Sequence, residues 1–325
     1  MLLFADFKII LVLCEVDCML KKMALWLMIL MLLAAGALAE APLLVDRINT
    51  PDEHADFAFA EGAPLLEILF PQILNSDAAV LRCGDQVVLI DCASKKYAQR
   101  VVNLLNQMGV TEIDSVINTH PHYDHIQGLE IIAQNVKVKE LRICFPATIS
   151  QHAQTALDVC DQYDIPVKYY QDGAQWDIGG TVIDVWLKGE EGWDLNNSNA
   201  VMRLQFGERT ALFAADAEFK LQKKLVEVIP AELLDTDLLK YPHHGNEAME
   251  HSFMAAVSPA FAVLTNNGGT AYKASKYCLR LAEIPFACTV PGYVCARTDG
   301  TTWLVERLPM DVPVNNPSRP DTRFQ

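Results

Sequence analysis

The chain has 325 residues, of which 51% are hydrophobic and 21% are charged, a composition typical of a globular protein and not of a disordered one. Its formal net charge is −15. Non-specific binding to long nucleic acids depends on many lysines and arginines, so this acidic charge disfavours a general nucleic-acid binder.

The N-terminal segment resembles an export signal. Two lysines precede an apolar run that ends in small residues, which predicts a signal peptide over residues 1–39, cleaved after Ala39, and hence a secreted protein. A retained membrane anchor is the alternative, because another apolar stretch lies upstream. Residues 1–18 fit no part of a signal, so Met19 or Met23 is the expected start.

The first predicted elements after the signal are strands. LEILF, DAAVLRC and QVVLIDC are short apolar runs, and Gly84-Asp85 separates the last two, which predicts a meander with a tight turn. KKYAQRVVNLLNQMGV has apolar positions at helical spacing and ends at Gly109, which favours a helix with a glycine stop. SVINT predicts the next strand.

The same alternation of strands and helices continues towards the C-terminus. SQHAQTALDVCDQY predicts a helix, TVIDVWL a strand, AVMRLQF and TALFAAD a hairpin around Gly207, and TTWLVERL the closing strand. The two halves are similar and no low-complexity linker divides them, so residues 40–308 are expected to form one domain. Residues 309–325 contain prolines and no periodicity, which predicts a flexible tail.

The number and spacing of the cysteines favour free thiols over a zinc-finger site. Seven of the nine cysteines lie after residue 39, and no C-x-x-C pair occurs among them. In CTVPGYVC, a Pro291-Gly292 turn would place Cys288 opposite Cys295, so one disulfide is a hypothesis for an exported protein.

The segment THPHYDHIQG contains three of the chain's eight histidines. In an extended segment, positions i and i+2 point to the same side, so His120 and His122 can bind one metal ion. Asp124 and His125 follow at the turn into a helix and can face a second ion. An incidental polar loop is the alternative interpretation.

With this H-x-H-x-D-H loop after a strand, the chain resembles the metallo-β-lactamase superfamily, and within it the hydrolase domain at the end of ComEC-type competence proteins. The resemblance covers residues 66–308 and includes Asp77, Asp91 and the segments THPHYDHIQGLE, NNSNAVMRL, LFAADAE, LLKYPHHGN and ARTDGTTWL. It implies an α/β fold of the αββα type, in which helices flank two mixed β-sheets. It also implies a hydrolase with two divalent metal ions.

The resemblance further implies the roles of individual residues. Asp216 would bridge the two ions, although an aspartate at a strand end is otherwise more often a helix N-cap. His243 would be a ligand, while Asp124 and His244 would be catalytic and Gly245 would let backbone N–H groups approach an anion. The expected metal ligands are His120, His122, Asp124, His125, Asp216 and His243.

The chain departs from the family pattern at several positions. Residues 196–199 hold no histidine, which leaves the first ion one protein ligand short. Family glycines are replaced at Asn75, Ala93 and Ala215. The residues expected to contact the substrate are Asn196, Ser198, Lys240, Gly245, Asn246 and Arg297.

The expected chemistry follows from this ligand set. Two divalent ions joined by a carboxylate lower the pKa of a shared water from about 16 towards about 7. Nitrogen and oxygen ligands suit Zn²⁺ first, then Mn²⁺ or Fe. The resemblance implies phosphodiester hydrolysis, and the acidic charge favours a small or cell-wall-derived phosphodiester over long nucleic acid, with no stable protein partner expected. A hydrolase of a thioester, lactone or β-lactam and an exported module that binds metal without turnover are the alternatives.

Overall fold

A computed structural model describes residues 43–308, so the predicted signal segment and tail lie outside the described residues. The strands are β1 (Leu44–Asp46), β2 (Leu66–Phe70), β3 (Ala79–Cys83), β4 (Gln86–Ile90), β5 (Glu112–Ile113), β6 (Ser115–Ile117), β7 (Lys137–Val138), β8 (Leu141–Ile143), β9 (Val167–Tyr169), β10 (Gln175–Ile178), β11 (Thr181–Trp186), β12 (Val201–Phe206), β13 (Arg209–Phe213), β14 (Leu238–Lys240), β15 (Phe261–Leu264), β16 (Phe286–Cys288), β17 (Val294–Thr298) and β18 (Trp303–Arg307).

The helices lie mainly between the strands of each half. They are α1 (Ala98–Gln107), α2 (Tyr123–Ile126), α3 (Leu129–Asn135), α4 (Gln151–Gln162), α5 (Phe219–Val228), α6 (Ala231–Leu234), α7 (His251–Val257) and α8 (Lys273–Leu281). Short 3-10 turns span Ala147–Ile149, Asn196–Ser198, Pro242–Gly245 and Thr270–Tyr272. Between residues 43 and 308, no helix is both long enough and apolar enough to cross a membrane.

Two large sheets contain most of the strands. The order in the first sheet is β1-β18-β17-β2-β3-β4-β6-β8-β9, and in the second it is β10 to β16 in sequence, while β5 and β7 pair separately. The first sheet is antiparallel from β18 to β4 and parallel from β4 to β9. The second is antiparallel from β10 to β13 and parallel from there to β16. Both sheets are therefore mixed.

Side-chain alternation along the strands produces three apolar layers. On β12, Met202 and Leu204 belong to the core between the two sheets, whereas Val201 belongs to the core under the helices of the second half. Leu104 of α1 packs on the outer face of the first sheet, and Phe253 of α7 packs on the outer face of the second. This layering confirms the predicted αββα sandwich.

Local turn signals in the sequence are also confirmed. Cys83 pairs with Gln86 across the β3–β4 turn, where Gly84 has φ +58°. Helix α1 ends before Gly109, which has φ +70°. Both glycines occupy the left-handed region, in which residues with a Cβ are disfavoured.

The predicted disulfide between Cys288 and Cys295 is wrong, because both thiols are free. Cys288 lies on β16, the edge strand of the second sheet, whereas Cys295 lies on β17 in the first sheet. The Pro291-Gly292 segment therefore crosses from one sheet to the other and does not close a hairpin. Each of the other cysteines in the described range is free as well.

The residue after α7 gives a stability prediction. Ser258 is exposed and has φ 40° and ψ 50°, a conformation that costs a residue with a Cβ about 1–2 kcal/mol. Ser258→Gly is therefore expected to raise the free energy of unfolding by roughly 0.5–1 kcal/mol in urea titrations, because the relief of this conformational cost exceeds the cost of the greater freedom of glycine in the unfolded chain, about 0.5–1 kcal/mol. Ser252→Gly, inside the same helix, is the matched control and should lower it. An equal loss in both variants would contradict the prediction.

Candidate metal centre

Polar side chains gather where strands of both sheets end. Asp91 follows β4, the histidine loop follows β6, Asp216 lies three residues after β13, and the paired histidines follow β14. The parallel strands of each sheet bring these loops to the same edge of the sandwich. The carboxyl ends of strands are the usual place for ligands in such sheets.

The histidine loop adopts the strand, loop and helix order expected from its sequence. His122 is extended, with φ −76° and ψ 154°, and α2 starts at the next residue, so Asp124 and His125 lie in its single turn. His120 Nε2 is 2.9 Å from His122 Nδ1. His120 is 2% exposed and His125 is fully buried.

Three groups of side chains in the described residues offer ligand atoms within 4.8 Å of one another: Asp77, Asp91 and His125 form one of them, and the other two share Asp216. Of these two ligand groups, the first consists of His120, His122 and Asp216, and the second consists of Asp124, His125, Asp216 and His244. In the second group, His125 Nε2 lies 3.2 Å from Asp216 Oδ1, and His244 Nε2 lies 3.2 Å from Asp124 Oδ2 and 3.4 Å from Asp216 Oδ2.

These side chains fit a pair of divalent cations. His125 Nε2 and Asp216 Oδ1 are buried and make no hydrogen bond, although buried polar atoms are rarely left without a partner. Imidazole nitrogens and carboxylate oxygens are ligands that Zn²⁺, Mn²⁺ and Fe accept. A cation at each group would satisfy these atoms.

Electrostatics in the cluster point the same way. Burial disfavours the charged imidazole of His125, but Asp216 and Asp91 outweigh this effect and raise its pKa well above the usual value. Burial likewise opposes ionisation of Asp216, but His244 and His125 hold its pKa well below the usual value. For His120, burial and the charge of His125 lower the pKa. In the metal-free chain the buried carboxylates are thus balanced by charged imidazoles, and bound cations would supply this positive charge instead.

In the structure His244, and not His243, lies in the second ligand group. His243 and His244 have φ 48° and 56°, and this left-handed turn directs His244 into the second ligand group. His243 stays 25% exposed, with Nε2 3.8 Å from Asp216 Oδ2 and Nδ1 3.8 Å from Glu218 Oε1. The residue expected as a ligand is thus outside the group, and the neighbour expected to act on the substrate is inside it.

Two aspartates orient the histidines of the second group. His125 Nδ1 donates to Asp91 Oδ2 at 2.7 Å, and His244 Nδ1 donates to Asp77 Oδ1 at 3.0 Å. With Nδ1 kept as the donor, loss of the Nε2 proton to a bound cation would leave the lone pair on Nε2, which is the nitrogen that faces Asp216 in both residues. The sequence placed both aspartates in the family pattern but gave them no role in the site.

The two cations expected to contact substrate do not line the centre. Lys240 is 3% exposed and its ammonium donates to the Asp77 carboxylate. Arg297 shares its strand face with Cys295, which packs under the helices of the first half, and it pairs with Glu306. Both side chains are held in ion pairs within the fold, so neither is the free cation that was expected.

The remaining expected substrate contacts are part of local structure. Asn196 Nδ2 donates to Glu218 Oε1 at 2.9 Å, and Ser198 Oγ donates to the Trp193 carbonyl at 3.5 Å. Gly245 has φ +85°, and a Cβ there would lie 2.7 Å from Leu264 Cδ2, so close packing requires this glycine. A contact of Asn246 with substrate stays a prediction.

The three positions at which family glycines are replaced share one conformation. Asn75, Ala93 and Ala215 have φ values of 48°, 61° and 46°. These are left-handed values that glycine adopts without steric cost. Ala93 accepts the N–H of Gly128, and Ala215 accepts the N–H of His243, so both strained residues support the loops that carry the cluster.

Comparisons with known proteins agree with this geometry. The family model for the metallo-beta-lactamase superfamily matches residues 72–253. ComE operon protein 3 of Bacillus subtilis (strain 168) is 22% identical over 174 residues, which cover 53% of this chain and 22% of that protein. Ribonuclease Z of Archaeoglobus fulgidus is 30% identical over 112 residues, which cover 33% of this chain and 36% of that enzyme.

Among solved structures, the metallo-beta-lactamase fold protein YhfI from Bacillus subtilis is similar with a TM-score of 0.49 and 14% identity, and the match covers 70% of this chain and 96% of that one. The chain spans only 22% and 36% of the length of the two sequence relatives. The family model covers more than half of the chain and includes every residue of both ligand groups. The chain therefore belongs to the metallo-β-lactamase superfamily.

Proposed function

We propose that the protein is a hydrolase with a dinuclear metal centre that cleaves phosphodiester bonds. The observation that carries the proposal is that two ligand groups share the Asp216 carboxylate. Membership of the superfamily supports hydrolysis, and similarity to a protein named as a ribonuclease supports the type of bond. Zn²⁺ is the first candidate ion because the ligands are imidazoles and carboxylates, and Mn²⁺ or Fe comes next.

In this proposal some side chains bind the metal ions and others transfer protons or orient the ligands. His120 and His122 would hold one ion with Asp216, while Asp124, His125 and His244 would hold the other with the same carboxylate. Bound ions lower the pKa of water and polarise the bond that breaks. Asp91 and Asp77 hold the two imidazoles of the second group in the tautomer that presents Nε2.

We assign proton donation to His243. Its ring is 25% exposed and lies between Asp216 and Glu218, at 3.8 Å from each carboxylate. Imidazole is the side chain used most often for proton transfer. His243 would give a proton to the leaving alcohol oxygen. Its Nδ1 makes no hydrogen bond, but the Glu218 carboxylate 3.8 Å away would attract the charged ring.

The substrate in this proposal is a small diester. Lys240 and Arg297 are held in ion pairs with Asp77 and Glu306, so neither is free to bind a long polyanion. The net charge of −15 also disfavours such a substrate. The proposal includes export, because the N-terminal segment resembles a signal peptide. Mass spectrometry of the mature protein tests it, because a chain that begins at Glu40 is the expected product and an intact N-terminus would contradict cleavage.

The principal experiment combines metal analysis with substrate screening of the chain from Glu40 onward. We expect about two ions per chain by elemental mass spectrometry and hydrolysis of bis(4-nitrophenyl) phosphate. The Asp124→Ala, His125→Ala variant should lose one of the two ions and the hydrolytic activity. Two ions with turnover of only a lactone, thioester or β-lactam would refute the bond type. Low metal content that the variant does not change would favour a binding module.

The adjacent histidines provide a matched pair of variants. His243→Ala is expected to lower kcat by about 10²-fold and to leave the metal content unchanged, because it removes a proton donor only. His244→Ala should lose one ion as well as activity. Elemental analysis beside steady-state kinetics separates the two outcomes. Metal loss in His243→Ala with full metal in His244→Ala would reverse the assignment.

A further inference from the structure

We propose that Lys240 and Asp77 form a buried positioning pair that holds His244 in the orientation needed by a metal ion. The inference rests on the metal centre of the proposed function but not on its substrate. Neither residue is a metal ligand in this proposal: Asp77 acts through the His244 ring, and Lys240 acts through Asp77.

Lys240 reaches the centre from inside the sandwich. It ends β14, on the strand face where Leu238 packs into the core between the sheets. At 3% exposure the ammonium is out of contact with solvent, and it donates to Asp77 Oδ2 and, at 3.4 Å, to the Ala215 carbonyl. Ala215 directly precedes Asp216, so Lys240 also contacts the backbone that carries the shared carboxylate.

Asp77 connects the two halves of the molecule at this point. It lies just before β3 of the first sheet. Its Oδ1 accepts the Thr265 hydroxyl at 2.6 Å and His244 Nδ1 at 3.0 Å, and both donors belong to the second half. With Lys240 on the other oxygen, three donors fix the carboxylate plane. A rotation of this carboxylate would turn the His244 ring away from Asp124 and Asp216.

The other aspartate–histidine pair shows why the lysine matters. Asp91, which orients His125, accepts from the Thr119 N–H and hydroxyl and from Asn118 Nδ2, each at 2.8 Å. Those donors are neutral and come from the histidine loop itself. Within residues 43–308, the Asp77 carboxylate accepts side-chain hydrogen bonds from Thr265, His244 and Lys240, and none from the histidine loop. Lys240 of β14 therefore provides the support that loop donors give to Asp91.

Stability alone does not account for this ion pair. Replacing a buried ion pair by apolar residues of similar volume is often neutral or stabilising, whereas removing one partner is destabilising. A pair kept only for folding would therefore be replaceable by an apolar pair without consequence. A pair that positions His244 would not be.

This contrast defines the test, which uses Lys240→Met, Asp77→Leu and the double variant in the chain from Glu40 onward. Urea unfolding of the chelator-treated proteins reports folding, and competition with a chromophoric chelator reports zinc affinity. We expect both single variants to unfold at lower urea and the double variant to recover in part. The recovery stays incomplete because the Thr265 hydroxyl loses its acceptor, whereas His244 Nδ1 still has Thr265 Oγ1 at 3.0 Å. The double variant should nevertheless bind zinc at least about tenfold more weakly than the wild type. Its Co²⁺ absorption spectrum should also differ from that of the wild type.

Arg203→Met is the matched control, since Arg203 is a buried cation on β12 that contacts Gln205; its zinc affinity should equal that of the wild type. If the double variant does not fold, Lys240→Gln, which retains a donor without the charge, replaces it with the same expected loss of affinity. Wild-type zinc affinity in the folded variant overturns the inference, as does a wild type without metal. Failure to cleave phosphodiesters, with metal bound, would affect only the proposed function.

Discussion

Asp216→Asn is expected to lower the metal content from about two ions per chain to less than one, and to reduce hydrolysis by at least about 10⁴-fold. Asp216 is 1% exposed and is the one side chain common to both ligand groups. Its substitution therefore weakens both ions at once, whereas loss of a histidine affects one. An amide cannot supply the negative charge that neighbouring imidazoles and two cations require.

Elemental mass spectrometry and hydrolysis assays on the same sample test this expectation. Asp237→Asn is the matched control, because Asp237 is a partly buried aspartate that accepts the Thr210 N–H and pairs with Arg209. The control should lower stability and retain metal. Two firmly bound ions in Asp216→Asn would show that Asp216 does not bridge them.

Local patterns in the sequence are enough to predict individual strands, helices and turns and the histidine loop, whereas the αββα fold was implied by the family resemblance. The hairpin between β3 and β4 depends on a turn at Gly84, and α1 ends before Gly109. His120 and His122 lie two positions apart on an extended segment, a spacing that determines their side-chain direction without other contacts. These features were recognisable because each is settled within a few residues.

Features that depend on distant contacts were not predictable. The choice between His243 and His244 depends on a left-handed turn that no pattern signals. From the sequence, Lys240 is expected to be a cation available to the substrate. In the structure, its strand in the second sheet brings it to Asp77. The supposed hairpin at Cys288 fails because its two strands belong to different sheets.

The contact between Glu218 and His243 was also not predictable from the sequence. Glu218 lies two residues after Asp216 in LFAADAE and reads as an ordinary helix-start acid. In the structure its carboxylate accepts from Asn196 and Asn197 and faces His243. Its partner His243 lies 25 residues further along the chain. A single sequence does not show that two such distant residues are close together.

Asp91→Ala is expected to lower the free energy of unfolding of the metal-free protein by about 4 kcal/mol or more, an exceptional loss for one substitution. Asp91 is 1% exposed and accepts four hydrogen bonds, from His125 Nδ1 at 2.7 Å and from Asn118 Nδ2, Thr119 N and Thr119 Oγ1 at 2.8 Å. Each buried donor left without an acceptor costs about 1–3 kcal/mol.

Urea unfolding in the presence of a chelator measures this loss without a contribution from metal. Asp91→Asn keeps one acceptor oxygen and the shape of the side chain, so its loss should be smaller. A change below about 1 kcal/mol in Asp91→Ala would contradict the expectation, since it would mean that water replaces the carboxylate.

Zinc should then restore part of the stability of Asp91→Ala, because an ion that binds only the folded chain stabilises it by mass action. The recovery should be smaller than the stabilisation of the wild type by the same zinc concentration. His125 no longer has the acceptor that fixes its Nδ1, so its Nε2 is less well placed for the ion. Equal recovery in both proteins would show that Asp91 supports the fold alone. A smaller recovery would show that one carboxylate both completes the hydrogen bonds of the loop and prepares the centre for metal.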